Sequence, residues 1–232
     1  MENSKAGVSV IIPAWRAEKF LDECLQSILS QTYFNDFDEW EILVGIDGCE
    51  KTREAIKEYR QTRFYWFPKN RGPYIVRNTL SKVAKYPWIL FFDADDIAKP
   101  DLIEKAMAQS APYICFGKCN FYPDGREKPS RPTDGIILIW KKTFFGIGGF
   151  QPWLCGADTE FRQRMARIGI IRKIIPEILV MRRMHKDNLT VRKETNKRSA
   201  LRQAYWKIKR QNRIKGITKI NMVTGECHII AA

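Results

Sequence analysis

The sequence lacks any uninterrupted apolar run of the roughly 18 residues that a membrane-spanning helix needs. Its first five residues, Met-Glu-Asn-Ser-Lys, also lack the apolar core of a secretory signal peptide. These two absences predict a cytoplasmic protein. Contact with a membrane would then be peripheral, at the inner face of the bilayer.

No pair of Cys-x-x-Cys elements occurs at the spacing of a zinc site, and only two histidines are present. The six cysteines include Cys115 and Cys119, whose isolated spacing is a weak metal signal. In a cytoplasmic protein the remaining interpretation is a set of reduced, mostly buried thiols.

Acidic residues are scarce in the second part of the chain. Residues 1–100 carry 14 Lys and Arg against 15 Asp and Glu, whereas residues 101–232 carry 26 against 11. A one-sided basic charge indicates a polyanionic partner, either an anionic membrane surface or nucleic acid. A solvated basic face that only aids solubility also stays open.

Apolar runs alternate with amphipathic stretches over the first 92 residues. At 44% hydrophobic residues, the 232-residue chain can bury the core of one α/β domain. The pattern predicts a mainly parallel sheet flanked by helices, whose ligands bind beyond the carboxyl ends of the strands. Strands are predicted at 8–12, 40–46, 64–67 and 88–92, and helices at 17–31, 52–59 and 72–84.

Three carboxylates, those of Asp93, Asp95 and Asp96, follow the last of these strands within four residues. Like charges at this spacing repel one another unless a cation lies between them. Carboxylate oxygens suit Mg²⁺ or Mn²⁺, and Mg²⁺ takes substrate phosphates as further ligands. The cluster therefore predicts a metal-bound diphosphate. An acidic turn in which Asp101 caps the next helix is the alternative.

The stretch 8–21 resembles the start of family 2 glycosyltransferases, which have the Rossmann-like GT-A fold. Further motifs occur in the family's order and spacing: Asp47-Gly48, Asn70-Arg71-Gly72, Arg77-Asn78 and Asp93-Ala94-Asp95-Asp96. The resemblance covers about residues 8–190. It implies inverting transfer of a sugar from a nucleotide-diphosphate sugar to an acceptor hydroxyl, with Mn²⁺ or Mg²⁺ as cofactor. Residues 1–190 would form the catalytic domain and 191–232 a basic extension.

The resemblance also implies which residues bind the donor. Asp47 would accept a hydrogen bond from the ring N–H of the base, but Ile46 stands where the family often has a second acid, so a UDP-sugar is favoured only weakly. Arg77 would lie near the diphosphate, as suits a guanidinium, unless it forms a salt bridge on an exposed helix face. Asp93 would lie near the ribose, Asp95 would be the principal metal ligand, and Asp96 would be structural. The implied donor site comprises Pro13, Ala14, Trp15, Glu18, Asp47, Arg77, Asp93, Ala94 and Asp95.

Asp158 is the predicted catalytic base. The family commonly has an acidic pair at the start of a helix here, and this chain has Ala157-Asp158. An inverting displacement needs a carboxylate to take the proton of the attacking hydroxyl. Two alternatives stay open: Asp158 could cap the helix, and Glu160 could be the base.

Three further residues are assigned through the resemblance. Gly149 lies in a turn similar to the one that packs beneath the acceptor. Trp153 would offer a flat platform to an acceptor sugar or base, although a place in the core is the alternative. His185 is similar to the histidine that completes the metal shell or touches the diphosphate, and a core or surface role is its alternative.

The rest of the chain predicts more loosely placed elements. Residues 116–132, rich in Gly, Pro and Lys, predict a long loop or irregular hairpin over the site. Residues 193–213 predict a basic helix that lies on anionic lipid, follows a phosphate backbone or packs on the catalytic domain. Residues 217–223 and 226–230 predict a closing hairpin.

The predicted acceptor is a glycan of a cell-surface polysaccharide or a glycolipid. Because the chain is basic and has no membrane segment, hydroxylated bases in DNA are an alternative acceptor. A third interpretation is a non-catalytic protein of the same fold that binds nucleic acid or a membrane through its basic half.

Overall fold

The computed structural model describes residues 6–35, 37–132 and 134–231. Residues 1–5, on which the signal-peptide prediction rests, lie outside these ranges. Within them, no helix is both long and apolar enough to cross a bilayer.

One half of the central sheet is parallel, as predicted. Its strands lie in the order β3-β2-β1-β4, and the residues of β1 and β2 are almost all buried because helices cover both faces of this half. The strands are β1 (Val8–Ala14), β2 (Trp40–Asp47), β3 (Thr62–Phe67) and β4 (Trp88–Phe91), and the helices between them are α1 (Leu21–Leu29), α2 (Glu50–Glu54) and α3 (Pro73–Val83).

Helix α2 is shorter than the predicted helix 52–59. The residues after it cross to α1, where Lys57 Nζ and the Tyr59 hydroxyl bind the Asp22 carboxylate at 3.1 and 2.6 Å. These long-range contacts replace the last helical turn that the local pattern predicts.

The other half of the sheet is mixed. Strand β8 is antiparallel to β4 and β6, β9 is parallel to β6, and β5 and β7 are antiparallel to β9 and β6. Of the two alternatives predicted for residues 116–132, the hairpin is confirmed and the long loop is wrong, because β6 and β7 pair up to residue 130. Gly117 lets the backbone of β9 approach, because a Cβ there would lie 2.3 Å from Pro176 O. The strands are β5 (Ile97–Ala98), β6 (Tyr113–Phe121), β7 (Glu127–Ser130), β8 (Ile137–Trp140) and β9 (Lys173–Arg183).

The sheet separates two hydrophobic cores. Val10 and Ile12 of β1 face one core, and Ile11 between them faces the other, as the two-residue period of a strand requires. Four of the six cysteines are buried, in line with the prediction of mostly buried thiols. The remaining helices of this region are α4 (Leu102–Met107), α5 (Lys141–Gly146) and α6 (Ala157–Arg167).

The C-terminal residues wrap back onto the sheet. Helix α7 (Ala200–Ile214) begins seven residues later than predicted, where Ser199 Oγ accepts a hydrogen bond from Arg202 N. The predicted hairpin is wrong: one strand, β10 (His228–Ala231), pairs antiparallel with β3. The preceding segment is instead tied to α3 and α6 by three hydrogen bonds: Asn78 Nδ2 to Val223 O, Gly225 N to Thr79 Oγ1 and Arg167 Nε to Ile217 O.

Candidate active site

A cleft of about 480 Å³ opens beyond the carboxyl ends of β1, β2 and β4, where a sheet of this type binds its ligands. Ten predicted site residues line it, and they reach it from segments spread over more than 170 residues of the chain. They are Pro13, Ala14, Trp15, Asp47, Arg77, Asp93, Ala94, Asp95, Asp158 and His185. No residue of the β6–β7 hairpin is among those that line the cleft within the described ranges.

Asp95 and His185 meet in the cleft. His185 Nε2 lies 2.8 Å from Asp95 Oδ2, and the His185 ring packs on the Phe20 ring at 4.8 Å between centroids. Asn188 holds both residues in place: its Nδ2 donates to Asp95 Oδ2 at 2.9 Å, and its Oδ1 accepts from His185 N at 2.8 Å. A carboxylate and an imidazole are thus fixed side by side in the cleft.

The side chains of Asp95 and His185 fit a divalent metal to which the protein contributes only two ligands. No cluster of three or more His, Cys, Asp or Glu side chains suited to a metal occurs within the described residues. Mg²⁺ characteristically takes one or two carboxylates and completes its shell with water and substrate phosphates, and imidazole and carboxylate are both metal ligands. The pair formed by Asp95 and His185 therefore fits a metal that arrives with a diphosphate.

Arg77 and Asp93 form an ion pair in the cleft. The guanidinium of Arg77 donates to Asp93 Oδ1 and lies 5.7 Å from the ring centroids of Tyr74 and Phe91. Only 2% of the Arg77 side chain is exposed, so the alternative of a salt bridge on an exposed helix face is wrong. Its Nε has no hydrogen-bond partner among the described residues, which leaves this buried cation with unused donor capacity.

Desolvation in the cleft raises the pKa of Asp93. Arg77 and Arg182 oppose this shift, and the neighbouring carboxylates of Asp95 and Asp158 add to it. Burial also raises the pKa of Asp96 well above its usual range, together with Asp95 and Asp93. Asp96 Oδ1 accepts a hydrogen bond from the Arg183 backbone, as a structural residue would.

Asp47 lies at the end of β2 and fastens the neighbouring loop. Its two carboxylate oxygens accept hydrogen bonds from the backbone N–H groups of Arg71 and Gly72 at 2.7 and 2.8 Å. Burial raises the pKa of Asp47 to about 6, although these two N–H groups oppose the shift. The motifs Asp47-Gly48 and Asn70-Arg71-Gly72 are therefore one structural unit at the rim of the cleft.

Asp158 lies in the first turn of α6 and lines the cleft. Gly156, at φ 78°, caps this helix, and Asp158 Oδ1 accepts from the backbone N–H of the next residue, so Asp158 is not the N-cap. Gly135 lies between Asp158 and Asp93: a Cβ on it would be 3.8 and 3.7 Å from their Oδ2 atoms. Asp158 thus faces the same space as the carboxylates that follow β4.

Glu160, the alternative base, is not available to a substrate. Its side chain is 1% exposed, both of its oxygens accept from Arg164 Nε, and Arg167 lies 3.7 Å away. Arg164 also donates to the carbonyls of Ile147 and Gly149. This buried ion pair anchors α6 to the turn that follows α5.

Three predicted site residues do not line the cleft. Glu18 accepts a hydrogen bond from Thr52 Oγ1 at 3.2 Å. Gly149 lies in the core at φ 68°, where a Cβ would be 2.7 Å from Asn78 Oδ1, so its place is beneath the cleft. Trp153 is 6% exposed and its ring is stacked on that of Tyr205, so the structure places it in the core and not as an open platform.

Sequence reasoning missed one wall of the cleft, which the segment 187–202 provides. Arg192 from this wall and Arg16 place their guanidiniums 4.6 and 4.4 Å from the Trp15 ring centroid. Arg202, at the start of α7, also lines the cleft. One local signal was present: Asn188 follows His185 by three residues, a spacing at which an amide side chain accepts from the backbone of the earlier residue.

Comparisons with known proteins agree with this geometry. Two solved structures share the fold: Staphylococcus aureus TarS 1-349 in complex with UDP-GlcNAc (TM-score 0.59, 18% identity, 78% of this chain and 60% of that one) and the mannosyltransferase PcManGT of Pyrobaculum calidifontis in complex with GDP-Man and Mn²⁺ (TM-score 0.64, 16% identity, 91% and 63%).

Curated relatives match in sequence over part of their length. The Escherichia coli UDP-Glc:alpha-D-GlcNAc-diphosphoundecaprenol beta-1,3-glucosyltransferase WfgD is 36% identical over 93 residues, and the uncharacterized E. coli glycosyltransferase YibD is 29% identical over 145. The matches cover 39% and 59% of this chain, and the chain spans 35% and 41% of these relatives. Residues 9–156, more than half of the chain, match the profile of glycosyl transferase family 2. The chain belongs to this family.

Proposed function

We propose that the protein is an inverting glycosyltransferase that moves a sugar from a nucleotide-diphosphate sugar to an acceptor hydroxyl by a single displacement. The observation that carries the proposal is that one cleft brings together Asp95 and His185, Asp158, and the ion pair of Arg77 and Asp93. A protein that only binds a nucleotide sugar would not need an additional carboxylate such as Asp158 in the same cleft.

In the proposed reaction Asp158 accepts the proton of the acceptor hydroxyl. The acceptor oxygen forms its bond to the anomeric carbon while the bond from that carbon to the diphosphate oxygen breaks, and the electron pair leaves with the diphosphate. Arg77, which lines the cleft, stabilises the charge that develops on the leaving group. Asp93 orients Arg77 through the ion pair and lies where the ribose is expected.

A divalent ion, Mn²⁺ or Mg²⁺, would be held by Asp95 and His185, with Asn188 fixing both ligands. When bound, such an ion neutralises charge on the departing diphosphate. Two protein ligands leave room for phosphate oxygens, which fits a metal that enters with the nucleotide.

We propose a nucleotide sugar, with a UDP-sugar favoured, as donor. TarS was solved with UDP-GlcNAc and PcManGT with GDP-Man, and both share this fold. As acceptor we propose a glycan of a cell-surface polysaccharide or a glycolipid rather than DNA, since the name of WfgD describes a lipid-linked saccharide acceptor. Pro13, Ala14, Trp15 and Asp47 would hold the nucleoside at the rim.

We propose that residues 1–190 form the catalytic domain and that residues 191–232 form a basic C-terminal extension that contacts an anionic membrane. Its helix α7 has no buried residue and carries Lys and Arg along its length. It also exposes Trp206, Ile208 and Ile214 by 39, 41 and 75%. Cations beside exposed apolar side chains support peripheral contact with an anionic membrane.

A thermal-shift screen of nucleotide diphosphates and nucleotide sugars, each with Mn²⁺ and with EDTA, tests the proposal. We expect one nucleotide to raise the melting temperature in the presence of Mn²⁺ and to lose most of this effect with EDTA. Asp95→Ala should abolish the metal-dependent shift. Asp124→Ala, a change of an exposed carboxylate in the β6–β7 turn, should not. Absence of any shift with the wild type would refute a nucleotide-sugar enzyme.

A further inference from the structure

Asp134 is a buried carboxylate that the proposed reaction does not use. It comes directly before Gly135, which lines the cleft. Its Oδ2 accepts a hydrogen bond from Nε of Arg162 in α6 at 2.8 Å, and its Oδ1 accepts one from Nη1 of Arg172. Burial raises the pKa of Asp134, the two arginines oppose this shift, and the neighbouring Asp158 adds to it. Both oxygens of Asp134 are thus bound by cations from different segments.

Helix α6 contains two acid–arginine combinations at the same spacing, but only one of them forms an ion pair. Glu160 and Arg164 are four residues apart and bind each other, as an acid followed by a base at this spacing does on a helix. Asp158 and Arg162 are also four residues apart, so they lie on one side of the helix. The ion pairs that α6 makes within the described ranges all involve Glu160 or Arg162, and Asp158 takes part in none of them.

The segment formed by Asp134 and Gly135 explains this difference. Asp134 holds the Arg162 guanidinium, while a Cβ on Gly135 would be 3.8 Å from Asp158 Oδ2. Consecutive residues therefore bind the arginine and border the carboxylate with which it would otherwise pair. Without the Asp134 carboxylate, a rotation of the Arg162 side chain would bring it to Asp158, because residues four apart on a helix are neighbours.

An ion pair with Arg162 would impair Asp158 as a general base. Asp158 Oδ1 already accepts a hydrogen bond from Thr159 N, so Oδ2 is the oxygen left for a proton. A guanidinium occupies carboxylate lone pairs with charge-assisted hydrogen bonds and favours the ionised form, which reduces the affinity for a proton. A base needs both a free oxygen within reach of the proton and sufficient affinity to take it.

We infer that Asp134 is a positioning residue for catalysis: by binding Arg162, it keeps this arginine away from Asp158 and leaves the Asp158 carboxylate free for the acceptor hydroxyl. The inference rests on the proposed function, in which Asp158 is the base. Arg172, the second partner of Asp134, lies between α6 and β9 and therefore does not share a helix face with Asp158.

Other titratable side chains also act on Asp158, from the elements that surround it. They are Tyr74 of α3, Asp93 after β4, Lys118 of β6, Asp134 itself, Cys155 before α6 and Lys209 of α7. Of these only Asp134 changes in the variants below. The other groups act on Asp158 in all variants, so differences between variants report on Asp134 and its arginine partners.

The test measures the titration of the Asp158 side chain by ¹³C NMR, in protein whose aspartates are labelled at the side-chain carboxyl. The Asp158 resonance is assigned by its loss in Asp158→Asn. We expect Asp134→Asn to move the midpoint of this titration to lower pH by about 1 unit, because the released guanidinium favours the ionised carboxylate. Adding Arg162→Gln should return the midpoint close to that of the wild type.

The matched comparison is between two double variants, Asp134→Asn with Arg162→Gln and Asp134→Asn with Arg172→Gln. Both have the net charge of the wild type, and each removes one of the two arginines that Asp134→Asn alone leaves without a partner. Only the second keeps Arg162, so only there should Asp158 titrate about 1 unit lower. Melting temperatures establish that both are folded, and the two doubles carry the test if Asp134→Asn alone does not fold.

Turnover is the second measurement. UDP-glucose, UDP-N-acetylglucosamine and GDP-mannose are the probes, each with Mn²⁺ and with water as acceptor. The double variant that keeps Arg162 should lose about three- to tenfold in kcat, with the acid limb of its pH profile at lower pH and KM for the donor unchanged. The double variant that lacks Arg162 should turn over the donor as the wild type does.

Two results would overturn the inference. One is that the two double variants titrate alike or have the same kcat. The other is that Arg162→Gln does not reverse the effects of Asp134→Asn in folded protein, which would make Asp134 a purely structural residue. If the wild type turns over none of the three nucleotide sugars, the proposed function fails instead, and the NMR titrations still decide whether Asp134 keeps Arg162 away from Asp158.

Discussion

Replacing Asp158 with asparagine isolates the proposed proton acceptor with little structural change. Asparagine has the same shape, and its Oδ1 can still accept from the Thr159 backbone N–H as the Asp158 carboxylate does. Asp158 contacts neither Asp95 nor His185, which are held by each other and by Asn188. The variant should therefore fold normally and bind donor and metal as the wild type does.

The expected loss is confined to turnover. A positioned general base contributes about 10²- to 10⁴-fold, so kcat should fall by this factor, which corresponds to about 3–5.5 kcal/mol in the activation free energy. The Kd of the nucleotide diphosphate should change by less than about twofold, since Asp158 makes no hydrogen bond to Asp95 or His185, the proposed metal ligands. Removal of this charge should also lower the pKa of Asp93, which Asp158 helps to raise.

The rate of transfer is measured in single-turnover experiments with the donor found in the thermal-shift screen. The Kd of the corresponding nucleotide diphosphate is measured by calorimetry. Asp124→Asn is the control, because it makes the same chemical change on an exposed carboxylate paired with Arg126. Turnover of Asp158→Asn within about threefold of the wild type would remove Asp158 as base. A parallel loss of nucleotide affinity would show that Asp158 belongs to the donor site.

Further variants test the metal ligands, the support of α6 and the rim. Asp95→Ala should abolish metal-dependent nucleotide affinity, and Asn188→Ala should weaken it about 10- to 100-fold. Calorimetry with and without EDTA measures both effects. A wild-type affinity that is insensitive to EDTA would exclude the metal site. Arg164→Leu should lower the urea unfolding free energy by about 3–5 kcal/mol, because it strands the buried Glu160 carboxylate; a loss below about 1 kcal/mol, as for a surface pair, would contradict this. Since burial raises the pKa of Asp47 from 3.8 to about 6, the folded state holds its proton more tightly, and stability should fall as the pH rises from about 4 to 6. Asp47→Asn should flatten this part of the melting-temperature profile, and an unchanged slope would disprove it.

Local patterns predict the parallel half of the sheet because each buried strand is an apolar run with a clear end. The residues directly after those runs, such as Asp47 and Asp95, could be placed at one rim for the same reason. Residues whose positions depend on partners far away in the sequence could not be placed from local patterns. The local sequence around Trp153 is compatible with an exposed aromatic side chain. In the structure Tyr205, 52 residues later, covers its ring. Likewise, α2 ends early because Tyr59 reaches Asp22.

The choice between Asp158 and Glu160 also depended on tertiary contacts. Both acids lie in the first turn of α6, and sequence spacing treats them alike. Arg164 could be predicted as an i,i+4 partner of Glu160, but its burial could not, since it comes from the turn around Gly149 packing over the helix. Only that burial turns a common surface pair into a fixed internal one.

The pairing of β10 with β3 has a consequence for how the chain is made. About 160 residues separate the two strands, so at ribosomal rates β3 keeps one side without a neighbour for about 10 to 30 s after it emerges. During that time the unpaired edge of β3 can pair with strands of other chains, so chaperones would be needed most in this interval. A polypeptide ending before residue 228 would leave the edge of β3 permanently open to pairing with other chains.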